Sequence, residues 1–294
     1  MTSRHELTWS LRWLRGPLTG RVVSLGRRGL SLVAPKPRRW SVTSDGQALL
    51  AQEYAGFVVL SSEGTSLMSR LQSRFDLYEP DLVRALRREI TCTQTPTFLD
   101  VGANIGLISL AVLAACPGVR VEAFDPGPHQ SRLLQATIAY NRLEPRVRVH
   151  TIALGDADGE VDFAVHTSEH ASGDGLIDTG RAGSVTTVRV PMQRLDSWWC
   201  AAGQPDARVV KVDTEGAELM ILKGAQQFLA ACRPTLFLEI WPDNLRNYPY
   251  SADDVLAGLN QLGYRLETLY GERVEPRHAA TFWGREETYV ARPR

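Results

Sequence analysis

Four acids stand at the ends of short apolar runs: Asp100 in "TFLD", Asp125 in "VEAFD", Asp213 in "VVKVD" and Glu239 in "TLFLE". A carboxylate at the mouth of a buried strand can attract a cation, accept sugar hydroxyls or take a proton from a reacting group. Asp100 is followed by Gly102-Ala-Asn104-Ile-Gly106 and then by the Pro-free apolar run "LISLAVLAA". Strand, glycine turn and helix together form a common seat for nucleotides, because a helix start presents free N–H groups. Here the spacing is G-x-x-x-G, which is neither the G-x-G-x-x-G of a dinucleotide fold nor a P-loop, since no G-K-[ST] follows.

An acid at the end of that strand would repel a pyrophosphate. It suits a ligand that brings a cation and no phosphate, and S-adenosylmethionine, with its ammonium, sulfonium and carboxylate, is such a ligand. The expectation is that its carboxylate meets N–H groups near Asn104–Leu107 while Asp100 draws the ammonium, directly or through water. Asp125 ends the next strand in "VEAFDPGP" and is placed to accept both ribose hydroxyls. The alternative is that Asp125-Pro-Gly-Pro only stops a strand and opens a helix. After the third strand, "IALGDADGE" offers Ala153 and Leu154 as a wall for the adenine ring and Asp156 for its amino group, unless Gly-Asp-Ala-Asp-Gly is simply a turn.

"VVKVDTEGAELMILKG" concentrates Asp213, Glu215 and Glu218 at a strand-to-helix turn. Acids in a first helical turn also favour the helix dipole, and that is the preferred reading of Glu218. Asp213 and Glu239 are the candidate bases: transfer of that ligand's methyl group needs the acceptor atom aligned and its proton removed. The same two carboxylates would be the ligands if a divalent metal were used, but no clear third ligand follows Glu239, so a metal is not favoured. His166 and His170 lie in the loop 166–184, where they read as substrate-side residues or as solvated loop positions. Glu215 and Trp241 are further candidates on the substrate side. Trp198, Trp199, Tyr248 and Tyr250 either stack on a flat substrate or belong to the core.

These residues need a scaffold that brings strand ends together. Strands are expected at 97–101, 119–124, 147–152, 208–213 and 235–240, alternating with helices at 105–115, 128–141 and 216–231. That rhythm predicts an α/β fold, a mostly parallel sheet with helices on both faces and strand ends on one rim. "EVDFAV" and "VTTVRVPM" read as a hairpin, and "YRLETL" with "TYVAR" as an antiparallel pair at the sheet edge. A helix is expected from Pro80, with Leu82, Val83, Leu86 and Ile90 on one face, and another over 251–262. Residues 41–61 alternate around Asp45-Gly46 as one or two short strands.

Residues 1–40 carry nine basic side chains against a single acid, Glu6, with Leu7, Leu11, Leu14 and Leu18 at helical spacing. They read as a basic amphipathic extension, able to lie on an anionic membrane or a partner protein, or to pack its leucines on the domain. Formal net charge is +0, which gives no electrostatic case for nucleic acid. The four cysteines are far apart, no run is long enough to span a bilayer, and a cytoplasmic location is the default. A second copy of the chain is a further expected partner. Three regions result: 1–40, 41–74 and a domain over 75–294.

"YEP", "FLDVGANIG", "VEAFDPGP", "IALGDADGEVDF", "VVKVDTEGAELMILKGA" and "PTLFLEI" occur in the order found in FkbM-type S-adenosylmethionine-dependent methyltransferases, which residues 75–270 resemble. The resemblance implies a class I methyltransferase fold, Rossmann-like, and O-methylation of a sugar or polyketide-like natural product. It also implies that Asp100, Gly102, Asn104 and Gly106 hold the methionine part and Asp125 the ribose. Glu79 reaches the same end of the cofactor on this reading, or serves only as an acid at a helix start.

Overall fold

The computed structural model describes residues 23–26, 29–32, 39–44, 47–62, 77–166, 174–178, 180, 185–285 and 287–294. Two units divide at Arg38 and Arg39. In the first, β1 (Val23–Gly26) and β2 (Gly29–Leu32) pair antiparallel. The leucines expected on an amphipathic helix lie outside the described residues.

The second unit opens with an antiparallel meander of three strands, β3 (Arg39–Ser44), β4 (Gln47–Tyr54) and β5 (Phe57–Ser61). This is one strand more than the sequence suggested, because Ala55 and Gly56 supply a second turn, both at positive φ. Helix α1 (Pro80–Thr93) then buries Leu82, Val83, Leu86 and Ile90 as its periodicity requires. The core follows as β6 (Thr97–Val101), α2 (Leu107–Ala115), β7 (Arg120–Phe124), α3 (Pro128–Tyr140) and β8 (Val147–His150). Helix α2 is apolar all round and buries every residue from Leu107 to Leu113, as a helix enclosed on all sides must. The meander is fastened to α3 through Asn141, whose side chain bonds both the N–H and the C=O of Val58, and through Thr137 at Leu60 N–H.

Strands β9 (Ala153–Gly155), β10 (Gly159–His166) and β11 (Val185–Arg194) form a small separate sheet, in which the expected β10–β11 hairpin is joined by β9 running parallel to β11. Helix α4 (Leu195–Ala201) leads to β12 (Ala207–Val212), α5 (Glu218–Lys223), α6 (Gln226–Cys232), β13 (Thr235–Glu239), α7 (Pro242–Leu245), α8 (Ala252–Gln261), β14 (Tyr264–Thr268) and β15 (Thr288–Pro293). The single helix expected over 216–231 is two. A side chain at Gly224 would put its Cβ 1.9 Å from the Gly155 carbonyl oxygen, so β9 crosses the helix there. The restarted helix is capped by Asp196, which accepts from Gln227 N and Phe228 N at 3.1 and 2.8 Å.

The central sheet runs β14-β15-β13-β12-β6-β7-β8, with β15 antiparallel to both neighbours and β13, β12, β6, β7 and β8 paired parallel. From β6 the chain winds outward through β7 and β8, then returns to build β12 and β13 on the other side. The switch point therefore lies between β6 and β12, where open α/β sheets receive their ligands. In register, Asp100 pairs with Lys211, and Lys211 pairs with Phe237. Because side chains alternate, Asp100, Lys211, Asp213 and Glu239 all project to the face covered by α1 and α2.

Candidate active site

The glycine turn is shaped by the strand beside it. Gly102 adopts φ +77°, and a Cβ there would lie 1.7 Å from the backbone oxygen of Asp213. Gly106, at φ +87°, abuts Leu134 in the same way. Asn104 also has positive φ, and its side chain accepts from Ile105 N at 2.8 Å. Asp125 ties the turn to β7: one carboxylate oxygen accepts from Asn104 N at 2.7 Å and the other from Gly127 N at 2.9 Å. Burial pushes the Asp125 carboxyl up to about 7, against the pull of those two N–H groups. Each of its oxygens retains a second lone pair for a ligand hydroxyl.

Two expectations for this turn are corrected. The amides of Asn104, Ile105 and Gly106 are already bonded to Asp125, Asn104 and Ala103, so three of the four amides expected to meet a ligand carboxylate are engaged within the turn. Asp100 is 0% exposed and does not reach the cleft. It accepts from Ser109 Oγ at 2.6 Å and faces Lys211 Nζ at 3.5 Å, which makes it a buried support beneath the turn.

Lys211 was not anticipated. It is buried inside β12 with Nζ 3.0 Å from Asp213 Oδ2 and 3.0 Å from the carbonyl of Gly102, to which it donates. Burial alone would lower its pKa, but Asp213, Asp100 and Glu79 more than offset this and hold the ammonium above its ordinary range. The sequence carried a signal for it: Lys occurs only at 36, 211 and 223, and here it interrupts a run of valines. A charge within an otherwise apolar strand requires a partner.

Around Lys211 lies a small pocket lined by Glu79, Leu82, Asp213, Glu239 and Thr288. Glu79, at the start of α1 with φ 45°, is raised above the usual carboxylate range by burial and then by Asp213. The Tyr78 hydroxyl donates to it, and burial and the surrounding acids hold that phenol protonated. Glu239 is hydrogen-bonded to Asp213, and burial, then the charge of Asp213, raise its pKa well above the ordinary value. Two full negative charges on this adjacent pair would repel each other strongly.

The loop after β12 is held by Glu218. Its Oε1 accepts from Thr214 N, Thr214 Oγ1 and Gly216 N at 3.2, 3.0 and 3.3 Å, so it organises the loop as well as opening α5. Burial lifts its carboxyl to about 7. Tyr248 packs where a Gly216 Cβ would sit, at 2.4 Å, and Tyr250 donates to the Gly216 carbonyl at 2.6 Å. Both tyrosines thus brace the loop. Trp198 and Trp199 are buried, the first edge-on to Phe124 and the second donating to Pro205 O. Trp241 is half-buried at the start of α7.

Residues 174–178 pass along this rim. Asp174 accepts from His166 N and from Gln130 Nε2, the latter on α3, at 2.8 and 2.7 Å. Gly175 bridges Ala164 and comes close to Glu215, whose Cβ lies 3.4 Å from where a Gly175 Cβ would stand. Asp178 receives the side-chain amide of Asn247 on its carbonyl. His166 has no exposed side chain and sits between Asp174 and Asp178, so it is a buried support rather than a substrate-side base. His170 lies outside the described residues. Ala153 and Leu154 are 3% and 4% exposed and pack into the core, which leaves them no face for an adenine ring, whereas Asp156 is exposed. Among the described residues no group of three His, Cys, Asp or Glu is arranged to hold a metal ion.

A seven-stranded, mainly parallel sheet with an antiparallel pair at one edge and acids at the switch point defines a class I methyltransferase fold, Rossmann-like in its winding. The profile of the methyltransferase FkbM domain matches residues 100–266, and the chain belongs to that family of methyltransferases. It is 26% identical over 155 residues to the 2-O-methyltransferase NoeI of Sinorhizobium fredii, covering 47% of this chain and 60% of that protein. It is 29% identical over 175 residues to the AMB antimetabolite synthetase AmbE of Pseudomonas aeruginosa, covering 48% of this chain and 8% of that protein. Methyltransferase sdnD of Sordaria araneosa is 27% identical over 179 residues, 51% of this chain and 69% of the relative. The crystal structure of methyltransferase FkbM from Methylobacillus flagellatus aligns with a TM-score of 0.44 at 18% identity, covering 67% of this chain and 43% of that one. The chain thus spans less than two thirds of the first two of these relatives. No helix among the described residues is long and apolar enough to cross a membrane.

Proposed function

We propose that the protein transfers a methyl group from S-adenosylmethionine to a hydroxyl of a sugar, polyketide-like natural product or related small molecule. The observation that carries this reading is the Asp213–Glu239 pair at adjacent strand ends, one carboxylate 3.0 Å from the Lys211 ammonium and the other buried beside it. The residue that fits that cofactor is Asp125, whose two oxygens each keep a lone pair beyond the bonds from Asn104 N and Gly127 N. When bound, S-adenosylmethionine supplies an electrophilic methyl on a sulfonium. The chain supplies position and a base.

On this reading Asp125 accepts the ribose hydroxyls, and Glu79 faces the cationic methionine end. Asp213 takes the proton of the acceptor hydroxyl as charge develops on oxygen, which contributes roughly 10²–10⁴-fold. Glu239 donates a hydrogen bond to Asp213 and keeps it oriented. Glu215, Trp241 and exposed Asp156 stand on the side from which an acceptor approaches. The 2-O-methyltransferase among the relatives supports a hydroxyl acceptor, and the antimetabolite synthetase supports natural-product chemistry. The test is release of S-adenosylhomocysteine across hydroxylated glycans and natural products, with the product located by mass spectrometry. A methyl found on oxygen, with turnover lost in Asp213→Asn, is expected. A methyl on nitrogen or on a carboxyl group, or full turnover by Asp213→Asn, would refute the assignment.

A further inference from the structure

Asp213 and Glu239 end neighbouring parallel strands and hydrogen-bond to each other, so two negative charges cannot both persist there without large cost. One proton must be shared, and which carboxylate keeps the charge decides which can act as a base. The surroundings are not symmetric. Lys211 reaches Asp213 at 3.0 Å, and the same ammonium donates to the Gly102 carbonyl at 3.0 Å and faces Asp100 at 3.5 Å. Glu239 feels more negative charge instead, from Glu215 and Glu218 on the loop after β12, and its buried Oε2 has no hydrogen-bond partner among the described residues. The remaining groups facing the cluster are Tyr78 and Glu79 from the start of α1, and Glu287 beside β15. None of these is a cation.

We infer that Lys211 is the positioning residue of the site: its ammonium keeps the negative charge on Asp213, leaves the shared proton on Glu239, and ties that charged carboxylate to the carbonyl of the glycine turn. The inference deepens the methyl-transfer reading and rests on it only for the role of Asp213 as base. Lys211 does not touch the reacting atoms. It acts by choosing which member of the pair is charged and by holding that member in register with the turn at Gly102. A lysine that merely neutralised Asp100 would have no bearing on how Asp213 titrates.

The experiment is a pH titration of carboxyl ¹³C signals in the full chain without ligand, with Asp213→Asn and Glu239→Gln assigning the two resonances. At neutral pH the wild type should show Asp213 ionised and Glu239 protonated. In Lys211→Met the ionisation of Asp213 should move up by about 1–3 pH units, the shift an adjacent opposite charge produces. Lys211→Met strands Asp100 in the core, so Asp100→Asn with Lys211→Met provides the same readout if the single variant does not fold. A proton found on Asp213 in the wild type, or an unmoved Asp213 titration in the folded variant, would overturn the inference. Calorimetry with S-adenosylhomocysteine on the same wild-type sample separates the two claims. A wild type that binds none defeats the methyl-transfer reading, while the titration still decides the role of Lys211.

Discussion

Three glycines with nearly the same backbone angle meet three different surroundings, and replacing each by alanine separates conformational strain from collision. Gly271 has φ +89° and nothing within 4 Å of a new Cβ. Alanine there pays only for the left-handed conformation, about 1–2 kcal/mol, partly offset by roughly 0.4–1 kcal/mol from a stiffer unfolded chain. Gly106 has φ +87°, and its Cβ would meet the Leu134 side chain at 2.3 Å. Moving that leucine off its rotamer adds about 0.5–1.5 kcal/mol. Gly102 has φ +77°, but its Cβ would strike backbone, 1.7 Å from the Asp213 oxygen and 2.8 Å from its carbonyl carbon. Relief requires parting the exits of β6 and β12, where Asp213 N bonds Val101 O at 3.1 Å, and that exposes a buried pair at a further cost of about 1–3 kcal/mol. Gly102→Ala should therefore lose about 1–5 kcal/mol after that offset, against the 5–15 kcal/mol typical of a domain. Urea midpoints read by tryptophan fluorescence should fall in the order Gly271→Ala, Gly106→Ala, Gly102→Ala. If Gly102→Ala is no worse than Gly271→Ala, the two strand exits are not in contact and the switch-point site is misplaced.

Glu218 gives a test in pH. Its folded pKa, about 7, lies above the 4.5 of a free glutamate, so its contribution is complete below about 4.5 and is lost as pH rises through 7. Glu218→Gln keeps an acceptor oxygen for the Thr214 and Gly216 donors without the charge. Its urea midpoint should match the wild type near pH 4.5 and exceed it at pH 8, and a gap that does not grow with pH would contradict the burial of the charge. Asp125→Ala removes the acceptor of Asn104 N and Gly127 N and should weaken S-adenosylhomocysteine binding at least about tenfold by calorimetry, the loss of roughly one charged hydrogen bond. With Asp125 at about 7, wild-type affinity should rise between pH 6 and pH 8 as the carboxylate ionises. Tyr250→Phe deletes the bond to the Gly216 carbonyl and should cost about 1 kcal/mol in thermal or urea unfolding, with faster amide exchange at Gly216 and Ala217. Unchanged exchange there would mean that the tyrosine does not brace the loop.

Much of the frame was legible because it depends on local pattern. The runs "TFLDV", "VEAF", "VVKV" and "TLFLE" are short, apolar and bounded by turns, and they became adjacent parallel strands. The antiparallel pair at the edge and the helix opening at Pro80 follow from the same periodicities. What escaped depends on contacts between distant residues. The break at Gly224 exists because β9 crosses there, and the third strand of the small sheet pairs residues some forty positions apart. Asp100 looked like a ligand because a strand-end acid usually faces the crevice, yet Lys211 and Ser109 enclose it. His166 looked like a loop residue, and Asp174 returning through Gly175 buried it. Lys211 itself could have been read: a lysine among valines has to be answered by carboxylates, and four stood at the right strand ends.

The proposed seat of S-adenosylmethionine is Asp125, beside the turn at 102–106. Isothermal titration of the full chain with S-adenosylhomocysteine tests it most directly, without knowledge of the acceptor. The account predicts saturable one-to-one binding in the wild type that is strongly weakened by Asp125→Ala and by Gly102→Ala where that variant remains folded. An absence of binding by the folded wild type, or affinity unchanged in Asp125→Ala, would contradict it.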